Sequence, residues 1–250
     1  MSRLGGIWTA LSACLLGLPF LALLLTGKPG PLSPGDLAAI WTSLSLSALA
    51  LGAVACIGVP AAYWMARAQG IWIRGAELIT LFALVTPPLA MGLLLILLTG
   101  PGSPAGRVLS QTLGWSLDNT PAAFVIAQFY AALPYFLIAA RAAFRSVDPQ
   151  LAAAARCLGS SPLRAALRVE FPVAAGGLAA AAVIGWVRAV GEFGIALLIA
   201  YFPQGIPVRL WVNLQDQGLG AVFPLLWALL ALSLPALALL RFGRAAAAPA

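Results

Sequence analysis

The chain is 250 residues long, 62% hydrophobic and only 8% charged, with a mean hydropathy of +0.99 and a formal charge of +7. Such a composition excludes a water-soluble fold, and the single lysine, Lys28, excludes the clustered basic surface of a nucleic-acid binder. With no histidine in the chain, His-dependent triads and His-ligated metal sites are excluded as well.

Six apolar runs approach or reach the roughly 20 residues that a helix needs to cross a ~30 Å hydrocarbon layer. They predict an all-α, polytopic membrane bundle forming one transmembrane domain over residues 1–250. The first run, Ile7 to Thr26, follows Arg3 as a signal peptide would. No small-x-small cleavage site follows it, however, and its removal would leave an odd number of spans. GKPGPLSPGD then leads to the second run, Ile40 to Trp64, whose Ser43 and Ser47 suit hydrogen bonding between helices.

The third run, Ala76 to Thr99, carries Thr86, Pro87 and Pro88 at its centre. Consecutive prolines free backbone carbonyls and kink a helix, so the site is either a pore-lining kink or an architectural bend. GPGSPAG separates this run from the fourth, Pro121 to Ala140; the fifth is Val173 to Ala200, and PQGIPVR leads to the sixth, Leu219 to Leu240. All three turn-rich strings read as non-helical. Inside the fifth run stand Arg188 and Glu192, four residues apart. Ionisable groups at membrane depth cost roughly 2.5–3.5 kcal/mol on insertion scales, so they pair or face water. The two form either a structural ion pair or part of a translocation path or outer gate, and Gly191 and Gly194 permit a local break beside them. Cys14, Cys56 and Cys157 are dispersed and are expected to be buried structural thiols.

Counting basic residues sets the orientation. With both termini cytoplasmic, Arg3, Arg67, Arg74, Arg141, Arg145, Arg156, Arg164, Arg168, Arg241 and Arg244 lie inside and Lys28, Arg107 and Arg209 outside, ten against three. The segment 141–172 is therefore expected on the cytoplasmic face. Within it, Asp148 and Pro149 form an N-cap followed by proline at the first helical position, and Leu151, Ala154, Ala155 and Leu158 follow helical spacing. Gly159 supplies a left-handed stop, Ser161 and Pro162 repeat the cap, and Pro172 is expected to end the second helix. The segment is either a solvated connection or a docking platform; two capped helices are more order than a linker requires.

The spacing Ala153, Ala154, Ala155, then Gly159, then Val169, Phe171 and Pro172 resembles the Glu-Ala-Ala signature of ABC-importer permeases, with Ala153 where the signature has glutamate. SLSLSALALGAVACIGVPAAYWMAR, TPPLAMGL, VIAQFYAALP and RAVGEFG resemble further segments of type I permeases of the molybdate, tungstate and sulfate branch. That resemblance implies a coupling helix pair, from Ala153 to Ala155 through Gly159, Ser160, Ser161 and Pro162 to Val169, Phe171 and Pro172, seated on a separate ATPase subunit. It also implies a second permease copy, an extracytoplasmic binding protein, periplasmic or lipid-anchored, docking at residues 100–120 and 201–218, and a bacterial or archaeal inner membrane. The path or gate is expected at Thr86, Pro87, Pro88, Arg188, Gly191, Glu192 and Gly194.

No catalytic or metal-ligating residue is assigned. Lys28 lacks the upstream glycine of a Walker A motif, so ATP and Mg are expected on the partner subunit, and the chain itself is expected to hold no cofactor. Neither a G-x-S-x-G nucleophile nor paired intramembrane acids are present to support a membrane enzyme. The alternatives are a permease of this class for thiamine or ferric iron, and a secondary transporter, whose inverted internal repeat the halves do not show.

Overall fold

The computed structural model describes the backbone of residues 2–100, 102–113 and 117–245, and side chains from 5 to 234 of these except 109, 110, 112 and 113. In chain order the helices are α1 (Ser2–Thr26), α2 (Pro34–Arg67), α3 (Ile71–Val85), α4 (Pro88–Thr99), α5 (Pro104–Leu113), α6 (Pro121–Arg145), α7 (Pro149–Cys157), α8 (Pro162–Ala165), α9 (Phe171–Val190), α10 (Gly194–Ile199), α11 (Ile206–Gln217) and α12 (Phe223–Ala245). A π turn at Ala166–Glu170 joins α8 to α9, and a 3₁₀ turn at Leu219–Ala221 precedes α12.

Helix α6 is the axis of the bundle, packing against α2 on one side and α9 on another, with α2 and α9 also in contact. Small residues make this approach possible: Ala62, Ala132, Ala140, Ala181 and Ala189 are all fully buried. A Cβ on Gly177 would lie 2.5 Å from the Cβ of Ala143, so α9 and α6 meet closer there than any side chain allows. A second apolar cluster joins α4, α6 and α10 through Leu95, Phe124, Ala127, Ile195 and Ile199. Among its described large apolar residues α1 by contrast buries only Leu23, leaving Leu16, Leu24 and Leu25 exposed.

Among the described residues, four stretches are individually long and apolar enough to cross a membrane: Gly5–Thr26, Pro34–Arg67, Pro121–Arg145 and Pro162–Val190. The third expected span is not one helix, because α3 and α4 are bent by 117° at Thr86 and Pro87. Pro87 and Pro88 each lack an N–H and restrict the residue before them, so the α-helical ladder stops there. The fifth expected span breaks too: α9 ends at Val190, and Gly191 to Phe193 form a turn before α10. At its other end the helix does not stop at Pro172. Phe171 N–H donates to the carbonyl of Ala166, five residues back, and this wider turn makes room for the proline ring, so the stretch from Pro162 to Val190 is continuous.

The turn-rich strings are partly helical. Pro34 and Asp36 open α2 behind a capping box, in which Ser33 Oγ accepts from Asp36 N–H and Asp36 Oδ2 accepts from Ser33 N–H, at 3.2 and 3.0 Å. Pro104 opens α5, and Ile206 opens α11, with Pro207 tolerated in the first turn where its N–H has no partner to lose. The cysteines are not buried: Cys14, Cys56 and Cys157 are exposed thiols, because each lies on a helix face turned away from the core.

Candidate functional site

Two places gather the residues that the sequence singles out. The first is the crossing of the two broken helices. Gly194, the first residue of α10, sits against the start of α4, where a Cβ would lie 2.8 Å from Pro88 Cβ and 3.1 Å from Leu89 N. Only glycine permits that approach. Arg188 Nη1 lies 2.6 Å from Glu192 Oε2, and Glu192 Oε1 accepts from the N–H of Ile195 at 2.7 Å. The carboxylate is fully buried, with Oε1 hydrogen-bonded to the backbone and Oε2 in ion contact with the guanidinium but without a hydrogen bond, while the guanidinium also lies over the ring of Tyr135, 5.5 Å from its centroid. Tyr135 stands near the middle of α6, so the ion pair is near the middle of the bundle's depth.

Arg188 borders two cavities. One, of about 170 Å³, is shared with Thr86, Pro87, Pro88, Tyr130 and Tyr135; the other, of about 320 Å³, with Gly191, Glu192 and Gly194. Thr86 Oγ1 donates to the carbonyl of Phe82 at 2.6 Å, an oxygen that also accepts from Thr86 N–H at 3.0 Å, so the last turn before the break is closed twice. All seven residues expected at the path or gate thus stand together. Tyr135 is a partner that the sequence reading missed; its signal was an aromatic ring beside Pro134 in the middle of a span.

The second place is the segment between α6 and α9. Asp148 Oδ1 accepts from Gln150 N–H at 2.9 Å and caps α7. At the other end Gly159 has φ +86°, its N–H donates to Arg156 O at 2.9 Å, and Ser160 N–H donates to Ala155 O at 3.1 Å. This is a Schellman stop, with the left-handed residue at the position that favours glycine. Ser161 then caps α8, accepting weakly from Arg164 N–H at 3.4 Å. Ala153 and Ala154 are exposed, as are Leu158, Leu163 and Leu167. Leu158 is 89% exposed, a position that a solvated connection gives no reason to fill with leucine.

Beneath the pair lies a polar joint that the sequence reading missed. Glu170, in the π turn and nearly fully buried, meets Arg67 at the end of α2 at 2.6 Å and accepts from Tyr63 Oη at 2.8 Å. Arg67 also donates to Val147 O at 3.2 Å, just before α7. Tyr63, Phe144 and Phe171 pack as an aromatic trio with centroids 5.0 to 5.7 Å apart. A cavity of about 280 Å³, lined by Tyr63, Arg67, Ala152, Arg156, Pro162 and Glu170 among others, separates this joint from the two short helices. The legible signal was a lone glutamate at the mouth of an apolar run. Arg141 is likewise paired, with Glu77, and donates to Met65 O at 3.1 Å.

At the opposite end, Ser43 Oγ accepts from Ile206 N–H at 2.8 Å, tying α2 to the first turn of α11. Asp36 Oδ1 accepts from Arg209 Nε at 3.1 Å and from Asn213 Nδ2 at 3.0 Å. Residues 201–218, expected as an open docking loop, are therefore mostly a helix anchored to α2. Of the other expected docking loop, residues 101 and 114–116 lie outside the described residues, as do the side chains of Arg3, Arg241 and Arg244 and those of the last residues of the sixth expected span.

Among known proteins, residues 58–246 match the family described as binding-protein-dependent transport system inner membrane component. A probable molybdenum ABC transporter permease protein of Haloferax volcanii is 35% identical over 247 residues, covering 93% of this chain and 89% of that protein. The molybdate/tungstate transport system permease protein WtpB of Thermococcus kodakarensis is 32% identical over 210 residues, covering 84% and 79%. A solved inward-facing form of the MetNI methionine ABC transporter aligns with a TM-score of 0.63 at 20% identity, over 91% of this chain and 97% of that one, a likeness of fold.

Proposed function

We propose, from the premise that this chain belongs to the family of binding-protein-dependent transport system inner membrane components, that it is the membrane-spanning permease of an ATP-driven importer for molybdate or tungstate. The relatives named for molybdenum, molybdate and tungstate support that substrate class over sulfate, thiamine or ferric iron. One observation carries the coupling role: the capped, outward-facing helix pair around Gly159, braced from below by Glu170 and Arg67. A segment with exposed leucines and a rigid polar foundation fits a surface on which another subunit seats.

In this reading the chain forms one domain of six spans with both termini cytoplasmic, the bent pair α3–α4 counting as one span and α12 as the last. Two copies enclose the path, and each docks its α7–α8 pair, from Ala153 through Gly159 to Pro172, on one ATPase subunit that binds ATP and Mg. A binding protein delivers the anion at the face of α5 and α11. The broken-helix crossing at Thr86, Pro87, Pro88, Arg188, Gly191, Glu192 and Gly194 borders the path. ATP-driven closure of the ATPase pair is transmitted through the helix pair and rocks the bundles between inward and outward openings.

The test is reconstitution of the chain with its ATPase and binding protein in liposomes. ATP-dependent molybdate uptake that tungstate competes away and sulfate leaves largely intact is expected. Uptake driven by an ion gradient without ATP would overturn the importer reading, and equal competition by sulfate would overturn the substrate assignment.

A further inference from the structure

The Arg188–Glu192 pair is placed as no purely structural ion pair needs to be. It stands at the meeting point of both helix breaks, between two cavities, near the middle of the bundle's depth. Glu192 is fully buried and tied to the backbone of α10, so it cannot swing away without losing the Ile195 hydrogen bond. Arg188 is the looser partner, with a side chain 23% exposed and bordering the cavity that Thr86 shares. A guanidinium carries five N–H donors in a planar fork, and one carboxylate oxygen occupies only part of that fork. Its remaining donors are available to a ligand with oxygen acceptors.

We infer that Arg188 is the group in the permease that contacts the oxyanion in transit, with Glu192 as the fixed counter-charge that keeps the contact weak enough to release it. The physical case turns on charge balance. An unpaired arginine in a low-dielectric channel would hold a dianion tightly, and conduction requires binding favourable enough to enter but weak enough to leave. The buried carboxylate cancels the net charge and leaves the hydrogen-bond donors, so the anion is recognised by directed N–H groups without being trapped. Each cavity exceeds the ~30 Å³ share of one water several-fold, which leaves room for a tetrahedral oxyanion beside the fork.

This inference rests on the reading that the crossing borders the translocation path, and the experiment separates the two. In the reconstituted permease–ATPase complex, with Cys14, Cys56 and Cys157 replaced by serine, Thr86→Cys is labelled with an anionic and with a cationic methanethiosulfonate of similar size. The ratio of their rates measures the local field, which a loss of folded protein does not change. Arg188→Gln is expected to lower the anionic-to-cationic ratio by about tenfold, and Glu192→Gln to raise it by a similar factor, since one unit charge is altered nearby in each. Millimolar tungstate is expected to slow labelling when Arg188 is present and not in Arg188→Gln.

The double variant R188Q/E192Q, an uncharged pair of similar shape, provides a folded control if the single variant does not insert; it too is expected to lose tungstate protection. If Thr86→Cys reacts from water but tungstate protection does not depend on Arg188, the anion contact is overturned, whatever the ratio does, while the path reading stands. If Thr86→Cys reacts from water in no nucleotide state, the path reading itself is overturned, and this inference with it.

Discussion

Gly159 lets backbone strain and partner docking be measured apart. Its φ of +86° is costly for any residue with a Cβ, by about 1–2 kcal/mol. Within the chain, however, a Cβ there meets no atom within 4 Å. Gly159→Ala, Gly159→Asn and Gly159→Trp therefore differ little in steric cost to the isolated permease. Asparagine tolerates the left-handed region best and should destabilise least, while alanine and tryptophan should each cost about 1–2 kcal/mol. A seated ATPase subunit changes the ranking, because the indole would project into the contact next to the exposed Leu158. Transport-coupled ATPase activity of the reconstituted complex should stay within a few-fold of the parent for asparagine, fall moderately for alanine and be lost for tryptophan. Thermal unfolding of the permease in detergent should meanwhile place alanine and tryptophan together. Normal coupled activity in Gly159→Trp would refute the docking assignment, and a tryptophan variant far less stable than the alanine one would refute the claim of open space.

Removing one side of a buried ion pair strands the other, so Arg67→Ala should destabilise the chain by about 3 kcal/mol, read as a drop in unfolding temperature, while Glu170→Gln, which keeps the Tyr63 hydrogen bond, should cost less. Gly194→Val should lower uptake by at least tenfold at normal membrane abundance, since a Cβ 2.8 Å from Pro88 and 3.1 Å from Leu89 N forces the two breaks apart. Ser43→Ala leaves the N–H of Ile206 buried without an acceptor and should cost about 1–2 kcal/mol, with faster amide exchange confined to the first turn of α11.

Much of the coupling segment was legible in advance because its signals act within a few residues. Asp148 before Pro149, Gly159 after a helical run and Ser161 before Pro162 each define a cap whose donor and acceptor lie on the same turn, and each cap forms. The proline pair at Pro87 and Pro88 announced a break for the same local reason, although not its 117° angle. The failures were also local in origin. Pro172 predicts a stop because an α-helical ladder cannot accommodate it, and the π turn that does so depends on the packing of Phe171 and Glu170. Cys14 and Cys56 sit in apolar runs, which suggests burial, yet in a lipid-facing bundle apolar does not mean internal, and Cys157 ends α7, a helix with no buried residue.

What the sequence determined by itself is the helical class, the caps and the places where helices cannot continue, since these follow from backbone sterics and hydrogen bonding over a turn or two. Which of these features meet is set instead by packing between distant segments. Tyr63 and Glu170 are 107 residues apart in the chain, Ser43 and Ile206 are 163 apart, and nothing in either local pattern names the other. The first meeting depends on how closely α2 and α9 pack on α6, which small side chains such as Ala132, Ala140 and Gly177 set. The two helix breaks were each visible; that Gly194 rests on Pro88, and so brings Arg188 to the cavity at Thr86, is a property of that packing alone.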